Sequence, residues 1–427
     1  MGGTQASKTQ ALWFIGFTIA FAVLVFWDTA YVWTMAQFFH MNDFGKFYYA
    51  TVAFLDGQDM YGPSLATFIQ LTDDYGQQFW NLNPPHFHLL LLPLAYLPPL
   101  AALLAWHVLN FSAFLLIVRW IKQELNYSPS VNQTRVLVIG FLAFAGTGAH
   151  LVTGQFSFLL ALPVTIAWIH TRHHEWNKAG IYLGIACSLK LFLLIFLPYF
   201  FFKRQYGAIG RFLGVLGAAF GIGVAVFGIA PHVAWIEKIS EINWHWAGMN
   251  GSLWGILSRT LIENPMYQIA HPGEFLVYPA WVILSAFCGG IALYIAANDS
   301  SPGNIDRAFA ILIISAILIS PLGWTYYLFL LLGPLTGLLV EMERDTDRHE
   351  PRWARRIRTL QILLACGIIP GLLVPLIRIP LADSSFLVTL TIGSAYFWSI
   401  FLFWIFLVLD WKMDHRRDRI TQAVSPA

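Results

Sequence analysis

Asp43 is the acidic residue with the clearest potential for chemistry in this chain. It opens the segment Asn42-Asp43-Phe44-Gly45-Lys46-Phe47-Tyr48-Tyr49-Ala50, which follows the first apolar run. A carboxylate placed here can act as a general base that removes the proton from an acceptor hydroxyl. The alternative is that Asp43 only caps a helix, with Lys46 as a nearby charge partner. Asp28 is a weaker candidate for the base, and four further acids have the character of solvated loop residues: Asp56, Asp59, Asp73 and Asp74.

Aromatic and histidine clusters offer further polar chemistry. Trp244-His245-Trp246 could stack on a sugar or on a prenyl chain, although tryptophans are common at any membrane interface. His86 and His88 flank Phe87 beside a pair of prolines, where they could line a site. Metal binding needs several convergent ligands, and neither these histidines nor the polar loop Arg172-His173-His174-Glu175 indicates them. We therefore predict no essential metal and no cofactor.

The elements that position these residues must be membrane helices. The chain has 427 residues, of which 57% are hydrophobic and 11% are charged, whereas a soluble domain has about 25% charged residues. Apolar runs such as Ala11–Ala30, Tyr278–Ala297 and Phe386–Trp411 are long enough to cross a bilayer as helices. The net charge of +2 argues against nucleic acid as a partner and leaves membrane lipids as the surroundings. The predicted fold class is an all-α polytopic membrane protein.

Basic residues predict which ends of the spans face the cytoplasm. Placing the clusters Lys203–Arg211, Arg344–Arg358 and Lys412–Arg419 inside puts Pro231–Glu274 and the turn Ser320–Trp324 outside. The first polar stretch, Tyr31–Asn83, also lies outside and begins with a predicted interfacial helix that carries Asp43. In the second half, this arrangement predicts spans over residues 214–230, 276–297, 306–320, 324–341, 358–378 and 386–410.

Two arrangements remain open between Pro84 and Phe202. Five plain spans, near 86–98, 100–120, 136–153, 155–170 and 178–202, place several basic loops on the outside. In the second arrangement, His86–Pro98 only dips into the membrane and 179–202 splits into two short spans that meet near Lys190. We favour the second arrangement, because an unpaired lysine in mid-membrane is costly. Both arrangements give about twelve crossings when spans are counted by the helix length needed to cross the bilayer.

Six short motifs occur in the order typical of one enzyme family. They are Asp43-Phe44-x3-Tyr48-Tyr49-Ala50, Asn83-Pro84-Pro85, Gly154-Gln155-Phe156-Ser157, Gly180-x3-Gly184-x5-Lys190, Asn250-Gly251-Ser252-Leu253 followed by Arg259, and Ser320-Pro321-Leu322-Gly323-Trp324. This series resembles family 87 of the glycosyltransferases, membrane enzymes of the GT-C fold typified by polyprenyl-phosphate-mannose-dependent mannosyltransferases. The resemblance implies a GT-C-like core over 11–330, additional C-terminal helices over 357–411 and a cytoplasmic tail over 412–427, all in one membrane domain.

The resemblance implies a function as well as a fold. A sugar, with mannose favoured, would pass from a polyprenyl-phosphate donor to a lipid or glycan acceptor, with inversion and with Asp43 as the base. Lys190 and Arg259 would bind the donor phosphate; the alternatives are a snorkelling lysine and an interfacial arginine. The family often has a histidine shortly after the Ser-Pro-x-x-Trp turn, where this chain has Thr325-Tyr326-Tyr327. The residues expected to bind substrate are Tyr48, Gln155, Asn250, Ser252, Trp324 and Tyr326.

Two other classes of protein remain as alternatives. A transporter or flippase for lipid-linked sugars would show paired, repeat-related broken helices, and the chain has no such internal symmetry. A structural subunit of an envelope complex would not need polar residues that converge on one face. The expected location is the bacterial inner membrane, with the active site on its periplasmic face.

Overall fold

The computed structural model describes most of the chain. The described residues are 14–30, 42–63, 68–72, 75–78, 80–242, 244–269, 272–301, 303–345, 372 and 385–424. The span predicted over 358–378 therefore lies outside the described residues, except for the single residue Leu372.

The described chain is built from helices joined by short connections. In chain order the α-helices are α1 (Phe14–Ala30), α2 (Asn42–Leu55), α3 (Pro99–Leu125), α4 (Val131–Ala143), α5 (Ala145–Thr153), α6 (Ser157–Arg172), α7 (Trp176–Leu189), α8 (Phe196–Phe202), α9 (Tyr206–Phe227), α10 (Ala230–Ser240), α11 (Leu253–Leu261), α12 (Glu274–Asn298), α13 (Asn304–Ile319), α14 (Leu332–Asp345), α15 (Phe386–Leu390) and α16 (Ala395–Val424). Shorter 3₁₀ segments cover Pro85–Leu90, Leu191–Ile195, Thr325–Leu331 and Ile392–Ser394.

One small sheet interrupts the helical pattern. Strand β1 (Phe68–Thr72) pairs with β2 (Tyr75–Gln78) in an antiparallel ribbon, with Phe68 opposite Gln78. The other elements of the described chain are all helical, so the predicted all-α fold class is confirmed. Ile69, Thr72 and Tyr75 are of the β-branched and aromatic types that favour strands.

Four helical stretches in the described residues are long and apolar enough to cross a membrane. They are α3, α9, α12 and the stretch Phe386–Met413, which contains α15 and most of α16. Shorter apolar helices, among them α1 and α4, accompany them, as expected of a membrane protein. The total of about twelve crossings stays a prediction.

The region that the sequence left open has the helix pattern of the second arrangement. Pro85–Leu90 is a 3₁₀ segment followed by turns, because prolines 84, 85, 93, 98 and 99 interrupt regular α-helical hydrogen bonding. The long helix expected over 178–202 is broken: α7 ends at Leu189, and Lys190 has extended backbone angles (φ −144°, ψ 107°). The depth of these segments in the bilayer stays a prediction.

Helix α13 forms the centre of the molecule. Every residue from Asp306 to Leu318 is buried, as is typical of a helix surrounded on all sides. Its first turns carry ion pairs: Arg307 contacts Asp299 at 2.6 Å and Asp410 at 2.9 Å, and Asp306 contacts Arg172 at 2.6 Å. Its last residues reach a large cavity. The ion pairs and the cavity thus lie at opposite ends of a helix roughly 24 Å long.

The glycines before Lys190 have a packing role. A Cβ atom on Gly180 would come within 2.3 Å of the Ala208 carbonyl oxygen, and one on Gly184 within 2.8 Å of the Phe212 carbonyl oxygen. Helices α7 and α9 therefore pack backbone against backbone at these positions, a geometry that small residues allow in membrane bundles. This contact fixes the helix whose end carries Lys190.

Candidate active site

Asp43 lies in the first turn of α2 with both carboxylate oxygens occupied. Oδ2 accepts a hydrogen bond of 2.5 Å from Gln155 Nε2, and Oδ1 forms an ion pair with Lys46 Nζ, three residues along the same helix face. The Asp43 side chain keeps 17% of its surface exposed, whereas that of Lys46 keeps 8%. The carboxylate is therefore oriented by two side chains and still accessible from one side.

The loop between α5 and α6 places Gln155 against Asp43. Gly154 ends α5 with φ +63°, a left-handed conformation that favours glycine. A Cβ atom on Gly154 would also come within 2.6 Å of Phe44 Cβ, and its carbonyl oxygen accepts a 2.9 Å hydrogen bond from Trp106 Nε1. Glycine is thus required here by both backbone angle and space, and the tight turn brings Gln155 to α2.

Lys190 reaches the same region from the break after α7. Its Nζ donates a hydrogen bond of 2.9 Å to Asn83 Oδ1 and lies 5.1 Å from the centroid of the Phe156 ring. The backbone carbonyl of Ser188, left without its helical partner by the break, accepts a 2.6 Å hydrogen bond from His86 Nε2. His86 therefore lies behind Lys190 and supports the broken end of α7.

The turn Ser320–Trp324 is held in place by Asn250. Asn250 Oδ1 accepts from the Gly323 backbone N–H at 2.8 Å, its Nδ2 donates to the Pro321 carbonyl at 2.9 Å, and its backbone forms a β-bridge with Trp324. Ser252 caps α11 by accepting from the Gly255 backbone N–H at 3.0 Å. Asn250 and Ser252 are fully buried and are not among the residues that line the cavity.

A cavity of about 780 Å³ brings the polar groups together. Three charged residues line it within the described chain: Asp43, Lys46 and Lys190. One negative and two positive charges leave this wall with an excess of one positive charge. Most other lining residues are apolar or aromatic, including Leu191, Leu194, Trp235, Ile239, Trp244, Trp246, Met266, Tyr267, Trp281, Ile319, Trp324, Tyr326, Tyr327, Ile392 and Tyr396.

An aromatic series forms one wall of the cavity. Trp244 stacks on Trp324 with centroids 5.8 Å apart, and Trp324 stacks on Tyr326 at 6.3 Å. Lys46 Nζ lies 6.0 Å from the Trp244 ring, so the charged and aromatic walls adjoin. His245, between the two tryptophans of the loop, packs on Trp254 instead. Burial lowers the pKa of His245 to about 4, so its ring is neutral and adds no positive charge near the cavity.

The expected site residues fall into two groups. Asp43, Gln155, Lys190, Trp324 and Tyr326 line the cavity together. The other four, Tyr48, Asn250, Ser252 and Arg259, lie outside its lining. Tyr48 donates through its hydroxyl to the Leu97 carbonyl at 2.7 Å and so ties α2 to the segment before α3.

Arg259 contacts the loop that leads into α11 and is fully buried. Its Nη1 donates to the carbonyl oxygens of Ala247 at 2.9 Å and Asn250 at 3.0 Å, and its Nε donates to Ser394 Oγ at 3.1 Å. A guanidinium in this position holds the loop and the 3₁₀ segment Ile392–Ser394 together. Arg259 lies directly behind cavity-lining residues such as Ala247 but does not itself line the cavity, so its binding of the donor phosphate stays a prediction.

We expect Arg259→Met to lower the free energy of unfolding by about 1–3 kcal/mol, because buried carbonyl groups lose their donors. Thermal unfolding in detergent measures this change, and Arg211→Met, at an exposed position on α9, is the matched control. Unchanged stability with a donor KM raised tenfold or more would instead make Arg259 a phosphate ligand.

Two residues of the cavity wall were not expected to bind substrate from the sequence. The sequence indicates Lys46 only as a charge partner of Asp43, although its spacing of three residues places it on the same helix face. In the sequence, Asn83 is simply the first residue of the Asn83-Pro84-Pro85 motif. Its side-chain amide meets Lys190 across 107 positions in the chain, a contact without a local sequence signal.

The chain matches a known protein family. The model of glycosyltransferase family 87 matches residues 81–321, more than half of the chain. No curated protein matches the chain. The matched range contains Gln155, Lys190 and Arg259, whereas Asp43 and Lys46 on α2 lie before it.

Proposed function

This chain belongs to glycosyltransferase family 87 and is a GT-C-like glycosyltransferase, and from that premise we propose that it transfers a sugar from a polyprenyl-phosphate donor to a lipid or glycan acceptor. We favour mannose as the sugar, Asp43 as the general base and the outer face of the membrane as the place of reaction. The single observation that carries this proposal is that Asp43, Lys46 and Lys190 line one largely apolar cavity.

The charges of the cavity match a lipid monophosphate donor. A polyprenyl-phosphate sugar is a phosphodiester with one negative charge, which balances the excess positive charge of the Asp43, Lys46 and Lys190 wall. Lysine ammonium groups bind phosphate oxygens as point charges. The apolar lining residues suit a prenyl chain, and the aromatic series Trp244, Trp324 and Tyr326 suits the apolar faces of a sugar.

The proposed reaction is a single displacement at the anomeric carbon. The acceptor oxygen attacks C1 of the sugar, the bond between C1 and the phosphate oxygen breaks, and its electron pair leaves with polyprenyl phosphate. Asp43 takes the proton of the acceptor hydroxyl. The departing phosphate gains a negative charge, which Lys190 and Lys46 stabilise more strongly than they stabilise the donor.

Lys46 gives the donor a way to activate the base. Lys46 pairs with Asp43 Oδ1, while Gln155 holds Oδ2. A donor phosphate beside Lys190 would compete for the Lys46 ammonium group and draw it away from the carboxylate. Oδ1 would then be open to an acceptor hydroxyl, and Gln155 would keep the carboxylate oriented.

The proposal is tested by the choice of donor. Purified protein in proteoliposomes that contain a membrane lipid extract as acceptor is given radiolabelled mannose as polyprenyl-phosphate mannose or as nucleotide-linked mannose. We expect label in the lipid extract only with the polyprenyl-phosphate donor. Transfer from the nucleotide sugar, with none from the lipid donor, would contradict the proposal.

A further inference from the structure

A continuous series of buried polar side chains runs from Lys190 to helix α2 behind the cavity wall. Lys190 Nζ contacts Asn83 Oδ1 at 2.9 Å, and Asn83 contacts Asn81 Oδ1 through its backbone N–H at 3.2 Å and its Nδ2 at 3.4 Å. Asn81 Nδ2 lies 2.8 Å from His88 Nε2. His88 Nδ1 lies 2.8 Å from Thr51 Oγ1, which lies 2.8 Å from the Phe47 carbonyl oxygen. We call this series the relay: Lys190, Asn83, Asn81, His88, Thr51 and Phe47.

The direction of every hydrogen bond in the relay follows from groups that can only donate or only accept. An ammonium group only donates, so Asn83 presents its oxygen to Lys190 and its amide nitrogen to Asn81. The Asn83 backbone N–H also only donates, so Asn81 presents its oxygen to Asn83 and its nitrogen to His88. His88 Nε2 must therefore accept, which places the ring proton on Nδ1, where it is donated to Thr51. The Thr51 hydroxyl in turn donates to the Phe47 carbonyl.

The relay joins the two elements that carry the charged residues of the cavity. Thr51 and Phe47 lie on α2, two turns and one turn after Asp43 on the same helix face. The other end orients the Lys190 ammonium group, of which Asn83 takes one of three hydrogens. Asn81, Asn83, His88 and Thr51 are all buried, so a broken link would leave a polar group without water.

We infer that His88 is a positioning residue that, through this one-way relay, fixes Lys190 relative to helix α2 and so shapes the site for a lipid phosphate. This inference rests on the proposed function for the identity of the ligand. His88 does not line the cavity and takes no part in bond making. Its Nε2 accepts from Asn81 Nδ2 and so supports the orientation in which Asn81 turns its oxygen to Asn83 and Asn83 turns its oxygen to Lys190. A reversed Asn83 amide would present a donor to the ammonium group.

Two substitutions at His88 test the relay. A glutamine can accept through its oxygen and donate through its nitrogen, whereas a leucine can do neither. Binding of polyprenyl phosphate to the full-length protein in detergent is measured by titration. We expect His88→Leu to raise the dissociation constant about tenfold, comparable to the loss of an outer-shell partner at a metal site, and His88→Gln to stay within about threefold of the native protein. Equal affinities of all three proteins would overturn the inference.

A third variant covers the case in which His88→Leu does not fold. Asn81→Asp keeps the shape of the side chain but replaces the donor to His88 Nε2 with an acceptor. His88 Nε2 would then have to donate a hydrogen bond instead of accepting one. We expect about tenfold weaker binding by Asn81→Asp protein that thermal unfolding shows to be folded. His232→Gln, at a buried histidine outside the relay, is expected to bind as the native protein does. Native affinity in Asn81→Asp would overturn the inference.

The two proposals fail in different ways. Polyprenyl phosphate that does not bind the native protein at all would contradict the proposed function and, with it, the ligand assigned to the relay. Normal binding by the native protein, with unchanged binding by His88→Leu and Asn81→Asp, would contradict the relay alone. Repeating the titration in the Asp43→Asn background separates binding from catalysis, and we expect the same loss there.

Discussion

Asp43→Asn is expected to lower kcat for sugar transfer by about 100- to 10,000-fold, the usual contribution of a general base. An asparagine keeps the size of the side chain and can still contact Gln155, but its amide cannot take the proton of the acceptor hydroxyl. The ion pair with Lys46 is also lost, so the carboxylate no longer competes with the donor phosphate for that ammonium group. We therefore expect donor KM to fall or to stay unchanged while kcat collapses.

The measurement is the initial rate of label transfer in proteoliposomes over a series of donor concentrations. Asp56→Asn is the matched control, because Asp56 follows α2 directly and is exposed to solvent. The control is expected to keep the native rate. Full activity in the Asp43 variant would remove this residue from the reaction.

Lys190→Met is expected to lower kcat/KM for the lipid donor by about 100- to 1,000-fold, the effect typical of removing one group that stabilises developing negative charge. Methionine fills the space beside Phe156 without a charge, so the fold should persist. The substitution removes more stabilisation from the departing phosphate than from the donor, because the departing phosphate has one more negative charge. The binding of polyprenyl phosphate should weaken more than the binding of the intact donor.

Both effects are measured with the purified variant, by transfer assay and by titration with polyprenyl phosphate. Lys178→Met is the matched control, since Lys178 is 56% exposed and pairs with Glu175 at 2.8 Å away from the cavity. A Lys190 variant that binds polyprenyl phosphate as tightly as the control would show that the phosphate lies elsewhere.

Much of the candidate site could be predicted from ordered motifs, because each motif marks a place where the backbone needs a special residue. The Gly154-Gln155 turn and the Lys190 position both belong to such motifs, and their side chains reach Asp43 or Asn83. The orientation of a motif residue is a different matter. Asn250 and Ser252 contact the Pro321 carbonyl and Arg259 contacts the Asn250 carbonyl, yet none of the three lines the cavity.

The contacts that the sequence could not predict are long-range and polar. The sequence offers His88 as a residue that could line the site, whereas the structure shows it bonded to Thr51, 37 positions earlier, and to Asn81. The helix break at Lys190 was one of two arrangements that the sequence allowed. The cost of a charged lysine in mid-membrane favours the break. The hydrogen bond between His86 and Ser188 that supports it spans 102 positions and has no local sequence signal. Local periodicity predicts helices well and says nothing about such partners.

The central question is where the donor phosphate binds, and a structure of the Asp43→Asn variant with polyprenyl-phosphate mannose answers it most directly. We predict phosphate oxygens within about 3.2 Å of Nζ of both Lys46 and Lys190, with the anomeric carbon of the sugar facing residue 43. A donor phosphate bound at another site, with the space between the two lysines left open, would contradict the account.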